Sequence, residues 1–161
     1  SALTDFLKTR DVVLVNYKAS TAAEANHRDN QIIKLHRVVG NSIRVFQYPT
    51  PLQLPTKKTG FDWSLGTEVA RLGKEYDADY ALFIYLKDSY ATAGRAAVMV
   101  FAALLGAHGV QGGTQIGHAS LVDLKTGDVS WFNILGRADG DLRKPQPAIE
   151  TVDALMSNFP K

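Results

Sequence analysis

Two stretches of sequence decide the fold: Ala78-Asp-Tyr-Ala-Leu-Phe-Ile-Tyr-Leu-Lys-Asp-Ser-Tyr90 and Ala119-Ser-Leu-Val-Asp-Leu-Lys-Thr-Gly-Asp-Val-Ser-Trp-Phe132. The first stretch has no charged side chain between Tyr80 and Leu86. A strand without charges on either face is typical of a position covered on both sides, by helices or by another subunit. The first stretch therefore predicts a buried strand.

The second stretch predicts a β-hairpin. Two runs of strand length, 114–124 and 128–135, flank the sequence Lys125-Thr-Gly-Asp128. Gly127 supplies the positive φ that a tight turn between antiparallel strands requires.

The first half of the chain predicts one more strand and two helices. The run Asp11-Val-Val-Leu-Val-Asn-Tyr17 is apolar on both faces, which favours a central strand. Apolar residues at helical spacing then predict a helix over about 22–46, capped by Ser20 or Thr21 and shortened if Gly40 ends it. Asp62 is the expected cap of a second helix. The buried face of that helix is expected to carry Leu65, Val69, Leu72 and Tyr76.

A last amphipathic helix is expected to begin at Pro147 and to end at Pro160. The chain of 161 residues fits one domain with one core. The order of these elements predicts a single α+β domain over residues 1–161. We expect a mixed β-sheet with a C-terminal strand hairpin and with helices packed on it.

Composition excludes several classes of function. The formal net charge is only +2, and Lys and Arg are scattered along the chain, whereas a nucleic-acid interface needs clustered basic residues. Cysteine is absent, which excludes disulfides, thiolate zinc sites and cysteine nucleophiles. No motif indicates a cofactor, a metal centre or a catalytic group, so we expect a non-enzymatic protein.

An apolar insertion at about 93–113 interrupts the predicted sheet. Residues 96–105 carry no polar side chain, so a helix there is apolar all round. Such a helix of ~10 residues is ~15 Å long and too short to span a bilayer. It is therefore a buried helix, a subunit interface or a segment that inserts into a membrane surface. The candidate interface residues are Val98, Val100, Phe101, Leu104 and Leu105.

An alternative site lies around the glycines at 106–113, where a small ligand-binding or hydrolase domain would use Asp88, Ser89, His108 and His118. The glycine spacing matches no phosphate-binding loop. A metal bound by His108 and His118 needs a third ligand that the sequence does not indicate. Ser and Asp at strand ends commonly bind local backbone groups, and His36 on a helical apolar stripe is expected to be a core residue.

The two opening stretches also resemble a known family. An Ala-Asp-Tyr strand at 78–80, followed by Leu121-Val-Asp-Leu-Lys-Thr-Gly-Asp-Val-Ser-Trp131, is similar to the β-core of bacterial envelope lipoproteins related to the TolB amino-terminal domain and the curli secretion protein CsgG. The similarity covers residues 62–135. This chain departs from the family in the long apolar insertion and in lacking a glycine after the Ala-Asp-Tyr strand.

The resemblance implies a non-enzymatic periplasmic protein that is anchored to the outer membrane through a lipidated cysteine lying ahead of Ser1. Members of the family act as homo-oligomers or by contacting envelope partners. The resemblance supplies no catalytic residues. It therefore implies a role in assembly, secretion or envelope maintenance, with no nucleic-acid partner.

Overall fold

The computed structural model describes residues 1–10, 12–19, 21–48, 54–57, 60–90, 113–137 and 141–160. The predicted α+β class is confirmed, because helices pack on a three-stranded antiparallel sheet. The elements are α1 (Ala2–Lys8), α2 (Ala23–Phe46), α3 (Ala70–Tyr76), β1 (Tyr80–Tyr90), β2 (Gly113–Asp123), β3 (Val129–Arg137) and α4 (Pro145–Leu155).

The sheet has the strand order β1-β2-β3. Strand β1 pairs with β2 along its whole length, from Tyr80 opposite Asp123 to Tyr90 opposite Gly113. The predicted hairpin between β2 and β3 is confirmed, and Gly127 in its turn has a φ of 85°. The side chain of Asp123 accepts hydrogen bonds from two backbone N–H groups of the turn, which fixes the turn locally.

Each face of the sheet carries its own layer of helices. Side chains alternate between the faces along every strand. On one face, residues of α2 and α3 form the larger core with β2 and β3, and this core contains Ile32, Ile43, Leu65, Val69, Leu72, Val122, Leu124, Val129 and Phe132. On the other face, Leu155 and Met156 at the end of α4 form a second core with Ala119 of β2 and Leu135 of β3, and α1 packs against it. The sheet is therefore the middle layer of the domain.

The expectation of a first, central strand at 11–17 is wrong. Residues 12–19 form no strand and are exposed throughout, with Val12 at 51%, Val13 at 95% and Val15 at 53%. The end of this segment is held by polar contacts, because Tyr17 donates to Asp29 Oδ2 (3.2 Å) and Tyr76 donates to the Lys18 carbonyl (2.9 Å). β-propensity alone creates no strand without a paired neighbour. The described sheet is consequently antiparallel rather than mixed.

Helix α2 has the predicted extent, and Gly40 does not end it. The predicted cap is wrong for Thr21, because Ala22 holds the N-cap position without a side-chain hydrogen bond, and Ser20 lies outside the described residues. Asp62 does not cap the next helix either. Its carboxylate pairs with Lys57 Nζ at 2.6 Å, and α3 starts only after a 3-10 turn at Thr67–Val69.

The last helix, α4, begins two residues earlier and ends five residues earlier than expected, with Pro145 in its first turn and its end at Leu155. Pro fits the first helical turn because its missing N–H has no partner there anyway. The apolar insertion and its candidate interface residues, at 98–105, lie outside the described residues. Among the helices that the structure describes, none has the length and hydropathy needed to cross a membrane.

Candidate functional site

The sequence-predicted site residues Asp88 and His118 lie on opposite faces of the sheet. Asp88 faces the α4 side, where its Oδ2 accepts from Leu142 N (3.1 Å) and Gln115 Nε2 (3.3 Å). The ring of His118 faces the α2 side. Within the described ranges, these two residues therefore form no common site.

Of the other two residues of the predicted alternative site, the structure describes only Ser89. Ser89 Oγ lies 2.7 Å from Thr114 Oγ1 and 3.0 Å from the Thr114 carbonyl, so it joins the ends of β1 and β2. His108 lies outside the described residues. Ser89 thus makes a cross-strand Ser–Thr contact of the kind that stabilises neighbouring strands.

Two buried histidines meet between α2 and the sheet. His36 of α2 is 3% exposed and His118 of β2 is 1% exposed, and their ring centroids are 5.0 Å apart. Phe83 stacks on His36 at 5.1 Å, and Phe132 stacks on His118 at 5.5 Å. Neither Nε2 atom has a hydrogen-bond partner among the described residues. His36 is therefore the core histidine that its helical stripe predicts.

Burial keeps both imidazoles neutral at physiological pH. Burial and then the neighbouring His118 lower the pKa of His36 from 6.5 to about 3. Burial and then the charge of Arg44 lower the pKa of His118 to about 4. Neutral imidazoles are good metal ligands, but a metal centre needs further donors. In the part of the chain that the structure describes, no three His, Asp or Glu residues come together to hold a metal ion.

A small basic cavity opens beside His118, between α2 and the first two strands. Its volume is about 150 Å³. The cavity is lined by Asn41, Arg44, Tyr85, Lys87, Ile116, Gly117 and His118. Arg37 lies next to this lining, with its guanidinium 4.7 Å from the centre of the Tyr85 ring. We call this feature the basic cavity.

The basic cavity was not predicted from the sequence, although part of its signal was present. Arg37, Asn41 and Arg44 recur at helical spacing, which places them on one face of α2. Lys87 belongs to a strand over forty residues later in the chain, and only the packing of α2 against β1 brings it near Arg44. The sequence therefore indicated the polar row on α2, but it did not indicate that this row packs beside Lys87 of β1.

A second notable surface is apolar and exposed. It consists of residues 12–17, hereafter the 12–17 segment, in which four successive residues are Val, Val, Leu and Val. Scattered exposed apolar residues are normal on proteins, but contiguous ones usually mark a contact site. The 12–17 segment is therefore a candidate association surface.

Comparison with protein-family models, with curated proteins and with solved structures found no match to this chain. The relationship to TolB-like and CsgG-like envelope proteins thus stays a prediction that rests on the motifs at 78–80 and 121–131.

Proposed function

We propose that this protein is a non-enzymatic envelope protein that acts by self-association, and that the 12–17 segment is its contact surface. The observation that carries the proposal is the exposure of this segment, which has the composition of a central strand yet buries neither face. Full burial of one exposed valine side chain contributes ~1.5–3 kcal/mol. Val13 is 95% exposed, and Val12 and Val15 keep about half of their surface exposed, so covering the three favours association by a few times RT.

A second copy of this chain is the occupant that the fold favours. Strand β1 is 11 residues long, and its outer edge has no partner strand among the described residues. An open edge pairs readily with an added strand, because its free N–H and C=O groups bind the backbone of that strand. Each copy would supply one such segment and one such edge, which satisfies the two-fold symmetry of a closed dimer.

Light scattering on the chain and on a Val13→Asp variant tests this proposal. Val38→Asp is the matched control, because Val38 is also exposed, at 62%, but lies on the outer face of α2. We expect the parent and the control to be dimers and Val13→Asp to be a folded monomer by circular dichroism. A parent that is monomeric at every concentration, or a Val13→Asp dimer, would overturn self-association through this segment.

The same assay tests the interface that the sequence predicts in the apolar insertion. If Leu104→Asp becomes monomeric while Val13→Asp stays dimeric, the dimer interface is formed by residues 98–105 and not by the 12–17 segment. The two surfaces are thus distinguished by one measurement on two variants.

The envelope location is proposed from the family resemblance. It predicts that the product of the complete gene is labelled by palmitate in cells and fractionates with the outer membrane. Recovery of an unlabelled product in the cytosolic fraction would exclude the lipoprotein assignment and leave the dimerisation test unaffected.

A further inference from the structure

We infer that the basic cavity is a binding site for a small oxyanion, either inorganic phosphate or the terminal phosphate of a larger ligand. The inference goes beyond the proposed function and does not depend on it, because the basic cavity and the 12–17 segment share no residue. It rests on charge, on hydrogen-bond donors and on size.

The charges of the basic cavity are all of one sign. Arg44 and Lys87 line it from the helix and from the strand, and none of the lining residues that the structure describes is acidic. Within the described ranges, neither cation forms an ion pair with a carboxylate. Two cations that share a cavity repel each other, and a bound anion replaces that repulsion with two favourable contacts. The Arg37 guanidinium over the Tyr85 ring extends the positive field.

The remaining walls provide neutral polar groups. The Asn41 amide and the Tyr85 hydroxyl are both able to donate hydrogen bonds to an oxyanion. His118 forms the buried wall, where its imidazole packs against Gly40 of α2. Arg44 is suited to binding an oxyanion because its planar guanidinium matches the geometry of phosphate.

The volume of the basic cavity limits the size of the ligand. About 150 Å³ corresponds to roughly five water molecules at ~30 Å³ each. Pockets for whole drug-sized ligands measure ~300–1,000 Å³. A tetrahedral oxyanion with its remaining water fits the space, whereas a complete nucleotide does not. Any larger ligand therefore places only its phosphate inside.

Calorimetric titration of the chain with inorganic phosphate at low ionic strength tests the inference. The decisive variant is Arg44→Gln combined with Lys87→Gln. Lys74→Gln combined with Lys125→Gln is the matched control, because it removes the same two charges from exposed positions away from the basic cavity. We expect saturable binding to the parent and to the control, and a Kd at least about tenfold higher for the decisive variant, or ~1.4 kcal/mol.

Two results of this titration would overturn the inference. One is the absence of saturable phosphate binding to the parent. The other is an equal loss of affinity in both double variants, because that would show a general effect of net charge. All four substituted side chains are exposed, and thermal unfolding checks that each variant remains folded.

Vesicles distinguish a free phosphate from a phosphate on a lipid. Sedimentation with phosphatidic acid vesicles, compared with phosphatidylcholine vesicles, is measured for the parent and both double variants. Vesicle binding that inorganic phosphate displaces, and that only the cavity variant loses, supports a lipid headgroup as ligand. Phosphate binding without vesicle binding supports a soluble ligand.

Discussion

The His118 imidazole fills the space beside Gly40 that any other side chain at position 40 would need. A Cβ built on Gly40 would lie 2.1 Å from His118 Nε2 and 2.4 Å from Cδ2. Glycine in the middle of α2 therefore allows the helix to approach the sheet closely enough to enclose the histidine pair. The same approach brings Asn41 and Arg44 to the basic cavity.

Gly40→Ala tests this contact. Alanine is favoured over glycine inside a helix by ~1 kcal/mol, but forcing an extra carbon into a packed core costs ~1–3 kcal/mol. The clash with a buried ring outweighs the helical gain, so we expect a lower free energy of unfolding in urea. Addition of His118→Ala to this variant is expected to cost less than the same change in the parent. Gly40→Ala with parental stability would contradict the close approach.

Stability is expected to fall as the pH falls below about 6.5. The folded-state pKa values of about 3 for His36 and about 4 for His118 lie below 6.5, so between these limits the unfolded chain binds protons that the folded chain does not. Each histidine contributes up to ~1.4 kcal/mol per pH unit. Unfolding curves measured between pH 7 and pH 5 check this dependence.

His36→Leu is expected to remove about half of that histidine-linked slope, because it leaves only His118 to take up a proton on unfolding. The exposed His27, which lies 3.0 Å from Gln31 on the outer surface of α2, provides the control variant His27→Gln. An identical slope in the parent and His36→Leu would show that the buried imidazole does not govern the acid sensitivity.

The ion pair between Asp29 and Arg71 predicts an asymmetry between its two partners. Asp29 is 1% exposed, whereas Arg71 is 23% exposed and also pairs with Glu75 at 2.9 Å. Arg71→Ala leaves a buried carboxylate whose remaining hydrogen-bond donor among the described residues is the Tyr17 hydroxyl, and we expect a loss of ~3–5 kcal/mol. Asp29→Asn is expected to cost less, because Arg71 reaches water. Chemical denaturation of both variants checks the order, and the reverse order would contradict it.

The hairpin turn requires glycine at position 127 for two reasons. Its φ of 85° is unfavourable for other residues, and an added Cβ would lie 2.2 Å from the Gly66 carbonyl oxygen. We expect Gly127→Ala to lower the free energy of unfolding by at least ~1–2 kcal/mol. Gly136→Ala in β3 is the control, because a Cβ there meets no atom within 4 Å. Equal thermal stability of the two variants would contradict the requirement.

The elements that the sequence predicted correctly are those with strong local signals. The hairpin follows from strand-length runs around Gly127, and α2 follows from a long apolar stripe, part of which reaches the core at Ile32 and Ile43. The sequence predicted wrongly where the structure of a segment depends on pairing with another strand. The 12–17 segment has strand composition, yet a strand exists only when a neighbour satisfies its backbone groups.

The candidate site was predictable only in part. The helical stripe placed His36 in the core, and the structure confirms its burial. The sequence also predicted that Asp88 and His118 share one site. Side chains alternate between the two faces along each strand, and the register of β1 and β2 places Asp88 and His118 on opposite faces of the sheet. Register depends on which strands pair, and a single stretch of sequence does not contain that information.

By itself, the sequence determined the α+β class, the hairpin turn and the long helix α2, because each depends on the conformations and the periodicity of residues close together in the chain. Only the tertiary structure decided that His36 meets His118, that Lys87 and Arg44 line the same cavity and that the 12–17 segment stays uncovered. These outcomes depend on strand register and on the distance between helix and sheet, which arise from contacts between residues far apart in the chain.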